Sequence, residues 1–156
     1  MDNMTISGVS GKSGRHRGDG IDCVFLTCFR SEFSILATVL QYSRIRLHRA
    51  ETLAEADFLL TVTGSTVLVS DILFLDGAWQ DALEMAADLH PLIACLLAAE
   101  PVDGPCLAEA GSRGACAILW KPIDFIGAID RIRTADQAAR DRALLVDELP
   151  PIAAVR

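Results

Sequence analysis

Val67-Leu68-Val69-Ser70-Asp71 decides how this chain is read. Three apolar residues and a serine run into a carboxylate. A strand buried on both faces of a parallel sheet reads as such a short Val/Leu run, with turn residues after it. The carboxyl ends of such strands are where open α/β sheets place their chemistry. Asp71 is therefore a candidate cleft residue. The competing reading of the stretch alone is a polar residue that ends a strand and turns the chain.

The flanking sequence repeats the strand-then-helix pattern on both sides. Upstream, Cys23-Val24-Phe25-Leu26-Thr27 is a strand. Ser31 is placed to cap a helix on which Phe33, Leu36, Val39 and Leu40 recur at helical spacing. Ile45 to His48 alternates as a second strand. Thr52-Leu53-Ala54-Glu55 is a capping box opening a helix through Phe58, Leu59 and Val62, with Gly64 past its end. Downstream, Trp79, Leu83, Ala86 and Ala87 define a third helix ending near His90-Pro91. Leu92–Leu97 reads as strand four. Asp103 and Pro105 suit the first turn of a short helix with Leu107, Ala108 and Ala110. Ala115–Trp120 reads as strand five. Asp124 caps a last helix through Phe125, Ile129 and Ile132, whose pattern continues past Ala138 to Leu145, before Pro150-Pro151. Five strand–helix repeats predict a parallel sheet with helices on both faces.

Composition narrows the class. The chain has 156 residues, 51% of them apolar and 22% charged, enough for one domain with a sizeable core. The net charge of −7 argues against a general nucleic-acid binder, which needs a basic face. Five cysteines without a Cys-x-x-Cys pair indicate neither a disulfide framework nor a zinc site, and most are expected to be buried. No apolar run reaches membrane-spanning length, roughly 18–20 residues, and the polar, Gly/Ser-rich start lacks a signal-like core. The expectation is a cytoplasmic chain with a flexible tail over 1–20, a domain over 21–134 and a helical extension and tail over 135–156. Gly11-Lys12-Ser13 lacks the earlier glycine and preceding strand of a phosphate loop.

An aspartate closing strand three, with Gly114-Ala115 leading to Lys121-Pro122-Ile123-Asp124 around strand five, resembles a response-regulator receiver domain. Asp76-Gly77 resembles the dipeptide that opens helix three in that family. The resemblance runs from about Asp22 to Arg133. It implies a flavodoxin-like three-layer sandwich with a five-stranded parallel sheet in the order 2-1-3-4-5. It also implies that Asp71 is the acceptor of a phosphoryl group from a histidine kinase and a magnesium ligand. Lys121 would be the cation on the phosphoryl oxygens, where charge neutralisation dominates the chemistry. The bond from Lys121 to Pro122 is one at which a cis peptide is cheap.

The sequence departs from that pattern. The family's acidic pair after strand one falls on Cys28 and Phe29, neither a hard-oxygen ligand for magnesium. Glu32, one helical turn further on, either reaches the cleft or is a first-turn acid answering the helix dipole, and the second reading is favoured. The hydroxyl switch at the end of strand four falls on Ala98, and the switching aromatic on Ile118, with Trp120 close by. The apolar loop Ile72-Leu73-Phe74-Leu75 is expected to fold into the core. The expectation is therefore a pseudo-receiver: a non-enzymatic signalling protein of a two-component phosphorelay, with weak or no phosphorylation and doubtful magnesium binding. Its output would be protein–protein contact. Its partners would be a histidine kinase, a phosphotransfer protein or another signalling protein, or a second copy through the extended last helix. Neither nucleic acid nor membrane is expected. The alternatives are a conventional phosphoprotein in which an acid such as Glu32 compensates, and a small α/β enzyme using Cys28 as nucleophile.

Overall fold

The computed structural model describes residues 20–148. The readings of a flexible tail over 1–20, Gly20 apart, and of Pro150-Pro151 and the segment after Glu148, lie outside the described residues. Five parallel strands form the sheet: β1 (Ile21–Leu26), β2 (Ile45–Ala50), β3 (Val67–Asp71), β4 (Ala94–Ala99) and β5 (Ala115–Trp120). Their order is β2-β1-β3-β4-β5, as expected. Four α-helices cover the sheet: α1 (Arg30–Leu40), α2 (Leu53–Thr63), α3 (Trp79–Leu89) and α4 (Phe125–Glu148).

Strand parity divides the core. Val24, Leu26, Leu68, Cys95 and Leu97 face α2 and α3, meeting Ala56, Leu60, Leu83 and Ala86. Cys23, Phe25, Val67, Val69, Leu96 and Ala98 face α1 and α4, meeting Leu36, Leu40, Ala128, Ile132 and Ala135. All five residues of β3 are buried, so both faces of this strand are covered, as its unbroken apolar run required.

Local signals account for several boundaries. The Thr52 hydroxyl accepts from the Glu55 N–H at 3.1 Å, and the Glu55 carboxylate accepts from the Glu51 N–H at 2.7 Å, one residue earlier than a capping box prescribes. Gly64 ends α2 at φ +67°, a left-handed conformation that glycine adopts without a Cβ penalty. Replacing Thr52 with alanine should lower stability by about 1 kcal/mol in a urea melt, and an unchanged midpoint would show that the cap is redundant. At the start of α4, the Asp124 carboxylate accepts from the Gly127 N–H at 2.8 Å.

Other expectations are corrected. Ser31 lies inside α1, which begins at Arg30 with Phe29 at its cap position and no side-chain cap. Strand two extends to Ala50, and strand four is shifted to Ala94–Ala99. The helix expected around Leu107–Ala110 is a 3-10 segment, Pro101–Leu107, followed by turns. Gly104 and Pro105 sit where an α-helix would have to propagate, and proline removes the N–H that propagation needs. Of Ile72–Leu75, Phe74 is buried while Leu73 and Leu75 are exposed. Leu73–Phe74 and Gly77–Ala78 form a two-rung antiparallel hairpin, so alternate side chains point outward. Only Cys23 and Cys95 are buried; Cys28, Cys106 and Cys116 are exposed. The last helix, by contrast, continues past Ala138 as its pattern predicts, and reaches Glu148.

Candidate functional site

Asp71 closes β3 at the carboxyl edge of the sheet, in register with Ala98 on β4. It is 1% exposed. The Lys121 ammonium lies 2.9 Å from Asp71 Oδ1 and 3.0 Å from Glu32 Oε1. Its Nζ also stands 4.9 Å from the centre of the Phe29 ring. Lys121 is held there by the backbone: its N–H donates to the Ala99 carbonyl at 2.7 Å, and the following bond to Pro122 is cis. Glu32 reaches the site from the first turn of α1. It is thus a site residue, in addition to being the acid of that turn.

The electrostatics oppose one another. Burial pushes the Asp71 carboxyl above its ordinary value, against the downward pull of the Thr27 hydroxyl and the Lys121 ammonium. Burial also works against the Lys121 charge, but Asp71 and Glu32 outweigh it and hold the ammonium above its ordinary value. Thr27 follows the last residue of β1 and is fully buried, and its hydroxyl accepts from the Phe29 N–H at 3.0 Å. A single apolar-to-polar step at the end of β1 was the signal for it in the sequence, and it passed as the last strand residue.

The remaining predicted positions separate. Cys28 is exposed and, with Arg30, Glu32, Glu100 and Lys121, lines an open cleft of about 500 Å³. Ala98 puts a methyl beside Asp71 on the α1/α4 face of the sheet. Ile118 packs on the opposite face, and Trp120, of the same parity, is 43% exposed. The histidines among the described residues pair elsewhere: His48 with Asp22 at 2.9 Å and His90 with Asp57 at 2.7 Å. Among the described residues, neither histidine is thus the adjacent base that a thiol nucleophile uses at Cys28.

The donor set does not fit magnesium. Of the carboxylates at the site, Asp71, Glu32 and Glu100, the first two are bridged by an ammonium, and the position that follows Thr27 is a soft thiol. Among the described residues no group of three or more His, Cys, Asp or Glu is placed to hold a metal ion.

Neither a protein-family model nor a curated protein matches this sequence. Solved structures do match its fold. The signal receiver domain of an HD domain-containing protein from Pseudomonas fluorescens Pf-5 superposes with a TM-score of 0.71 at 17% identity, covering 88% of this chain and 100% of that one. A response regulator receiver domain protein from Clostridium thermocellum gives 0.69 at 16%, covering 80% and 98%. The chain has the receiver fold. A third match carrying this receiver fold is described as one of a family of redox sensors in the streptococci evolved from two-component response regulators. It gives 0.67 at 19% identity, covering 85% of this chain and 57% of that one. Among the described residues no helix is long and apolar enough to cross a membrane.

Proposed function

We propose that this chain is a receiver-like signalling protein of a two-component or phosphorelay system in which Asp71 is structural and output is protein binding without catalysis. The observation that carries this reading is the Glu32–Lys121–Asp71 cluster. The cation that a transferred phosphoryl group needs is engaged by two carboxylates, and Asp71 is almost fully covered. A phosphoryl donor must displace an ion pair to reach an oxygen. It finds Ala98 in register with the acceptor, with no hydroxyl to offer. Losing one preorganised stabilising group typically costs about two to three decades in rate. Histidine kinases and phosphotransfer proteins are the partners that the receiver fold suggests. One structurally similar protein is described as belonging to a family of streptococcal redox sensors that evolved from two-component response regulators, and this supports a reading in which input does not depend on Asp71.

Incubating the protein with acetyl phosphate and magnesium, followed by intact mass measurement, tests this. The expected result is less than one-tenth of the chains modified, and no difference between the protein and Asp71→Asn. Stoichiometric addition lost in Asp71→Asn would instead favour the conventional phosphoacceptor, with Glu32 released from Lys121 to assist.

A further inference from the structure

Helix α2 is apolar on too many sides for a helix at a protein surface. Its sequence, Leu53-Ala54-Glu55-Ala56-Asp57-Phe58-Leu59-Leu60-Thr61-Val62-Thr63, has two charges, both acidic. Ala56 and Leu60 are buried against the sheet. Phe58 and Val62 stand one turn apart on the outer side, 63% and 58% exposed. A surface helix ordinarily carries polar residues there, and an all-round apolar helix is one with something on both sides.

The neighbouring helix supplies the rim. Helix α3 carries Asp81, Glu84 and Asp88 and no lysine or arginine. Leu89, at its end, is 57% exposed and precedes His90, whose ring bridges to Asp57 on α2. Two exposed apolar anchors and five carboxylates, those of Glu55, Asp57, Asp81, Glu84 and Asp88, thus lie on two adjacent helices that contain no lysine or arginine.

We infer that the α2–α3 face is a docking surface for a basic amphipathic helix of a partner protein. Its apolar stripe would cover Phe58 and Val62, and its lysines or arginines would meet the acidic rim. The apolar stripe sets the helix-on-helix mode of contact, with anchors at i and i+4 spacing. The sign of the rim sets the partner's charge. A second copy docked through the same face sets five carboxylates against five, which like-charge repulsion disfavours. The inference rests on the reading that output is protein binding. The acetyl phosphate assay does not involve this face, so the two can fail separately.

The test uses the full chain and a 14-residue Leu/Lys amphipathic helical peptide, with its Leu/Glu counterpart as control. Amide NMR shifts should change on α2 and α3 with the Lys peptide and stay unchanged with the Glu peptide. Phe58→Ser/Val62→Ser should weaken binding at least tenfold while leaving unperturbed amides elsewhere, since both side chains are already exposed. Shifts confined to another face, or an affinity unchanged in the double variant, overturn the inference. So does concentration-dependent self-association that the double variant abolishes, which would make the occupant a second copy. Binding that appears only after deletion of residues 1–19, which include Lys12, Arg15 and Arg17, makes the occupant the chain's own segment and also overturns it.

Discussion

Replacing Lys121 with methionine should destabilise the fold by about 3 kcal/mol at neutral pH, the low end for removing one partner of a buried ion pair. The side chain of Asp71 is almost wholly covered, and that of Lys121 nearly so. Without the ammonium, Asp71 keeps the Thr27 hydroxyl but no opposite charge, beside the like charge of Glu32. The deficit should depend on pH. The Asp71 carboxyl already lies above its ordinary value in the folded protein because it is buried, and losing Lys121 moves it further in that direction. A carboxyl so raised keeps its proton in the native state after the unfolded chain has released it. Its contribution to stability therefore falls as pH rises from about 3.9, the unfolded value, through the folded one. The Lys121→Met deficit should shrink in acid, and the Asp71→Asn/Lys121→Met double variant should recover most of it at neutral pH. Urea melts of the four proteins at two pH values decide the matter. A pH-independent deficit, or additive single effects, would mean that the pair does not couple.

The second large effect is a gain. Cys28→Asp should raise the rate of acetyl phosphate labelling at Asp71 by about a hundredfold in the presence of magnesium, the size of one preorganised electrostatic group. Cys28 is exposed on the cleft that Glu32 and Lys121 also line. A carboxylate there adds a hard oxygen beside the two acids already bound to Lys121, so that a divalent ion can compete with the ammonium. Rates followed by mass spectrometry, with and without magnesium, check it. A rate that stays flat, with magnesium binding undetectable by calorimetry, would show that Lys121 cannot be displaced and that more than one ligand is missing.

The sequence revealed those parts of the fold in which local pattern and global packing agree. The unbroken apolar run of β3 requires cover on both faces, and β3 has it. Thr52, Gly64 and Asp124 mark helix ends by direct chemistry with the backbone. Ala115–Trp120 is bounded by Gly114 and Lys121-Pro122, and its limits were read correctly. The misreadings fall where tertiary context decides. Ser31 is a good cap residue, but the chain leaves β1 too directly for it to serve as one. Ala108 and Ala110 favour helix, but Gly104 and Pro105 precede them. At the site, Asp71 was legible because it ends a strand, and Lys121 because Lys121-Pro122 after strand five matches the receiver pattern. Glu32 was legible only as an alternative and Thr27 only as a strand residue: whether a first-turn glutamate turns inward depends on a lysine 89 positions further along, and whether a strand-end threonine serves the site depends on the neighbouring strand.

The 24 residues of α4 span about 36 Å, and the contacts along it resemble a beam bolted at three stations. Arg133 donates to the Ser43 carbonyl at 3.2 Å, fixing its near half to the turn before β2. Buried Asp136 takes the Thr66 hydroxyl at 2.5 Å and the Arg140 guanidinium at 2.8 Å, tying its middle to the approach to β3. Arg142 donates to the carbonyls of Leu92 and Ile93, fastening its far part just before β4. A beam held at three points along its length cannot swing as a lever about one of them. Any signal from the Lys121 cleft must therefore travel by sliding or local unfastening, with Ala143–Glu148 as the overhang free of these bolts.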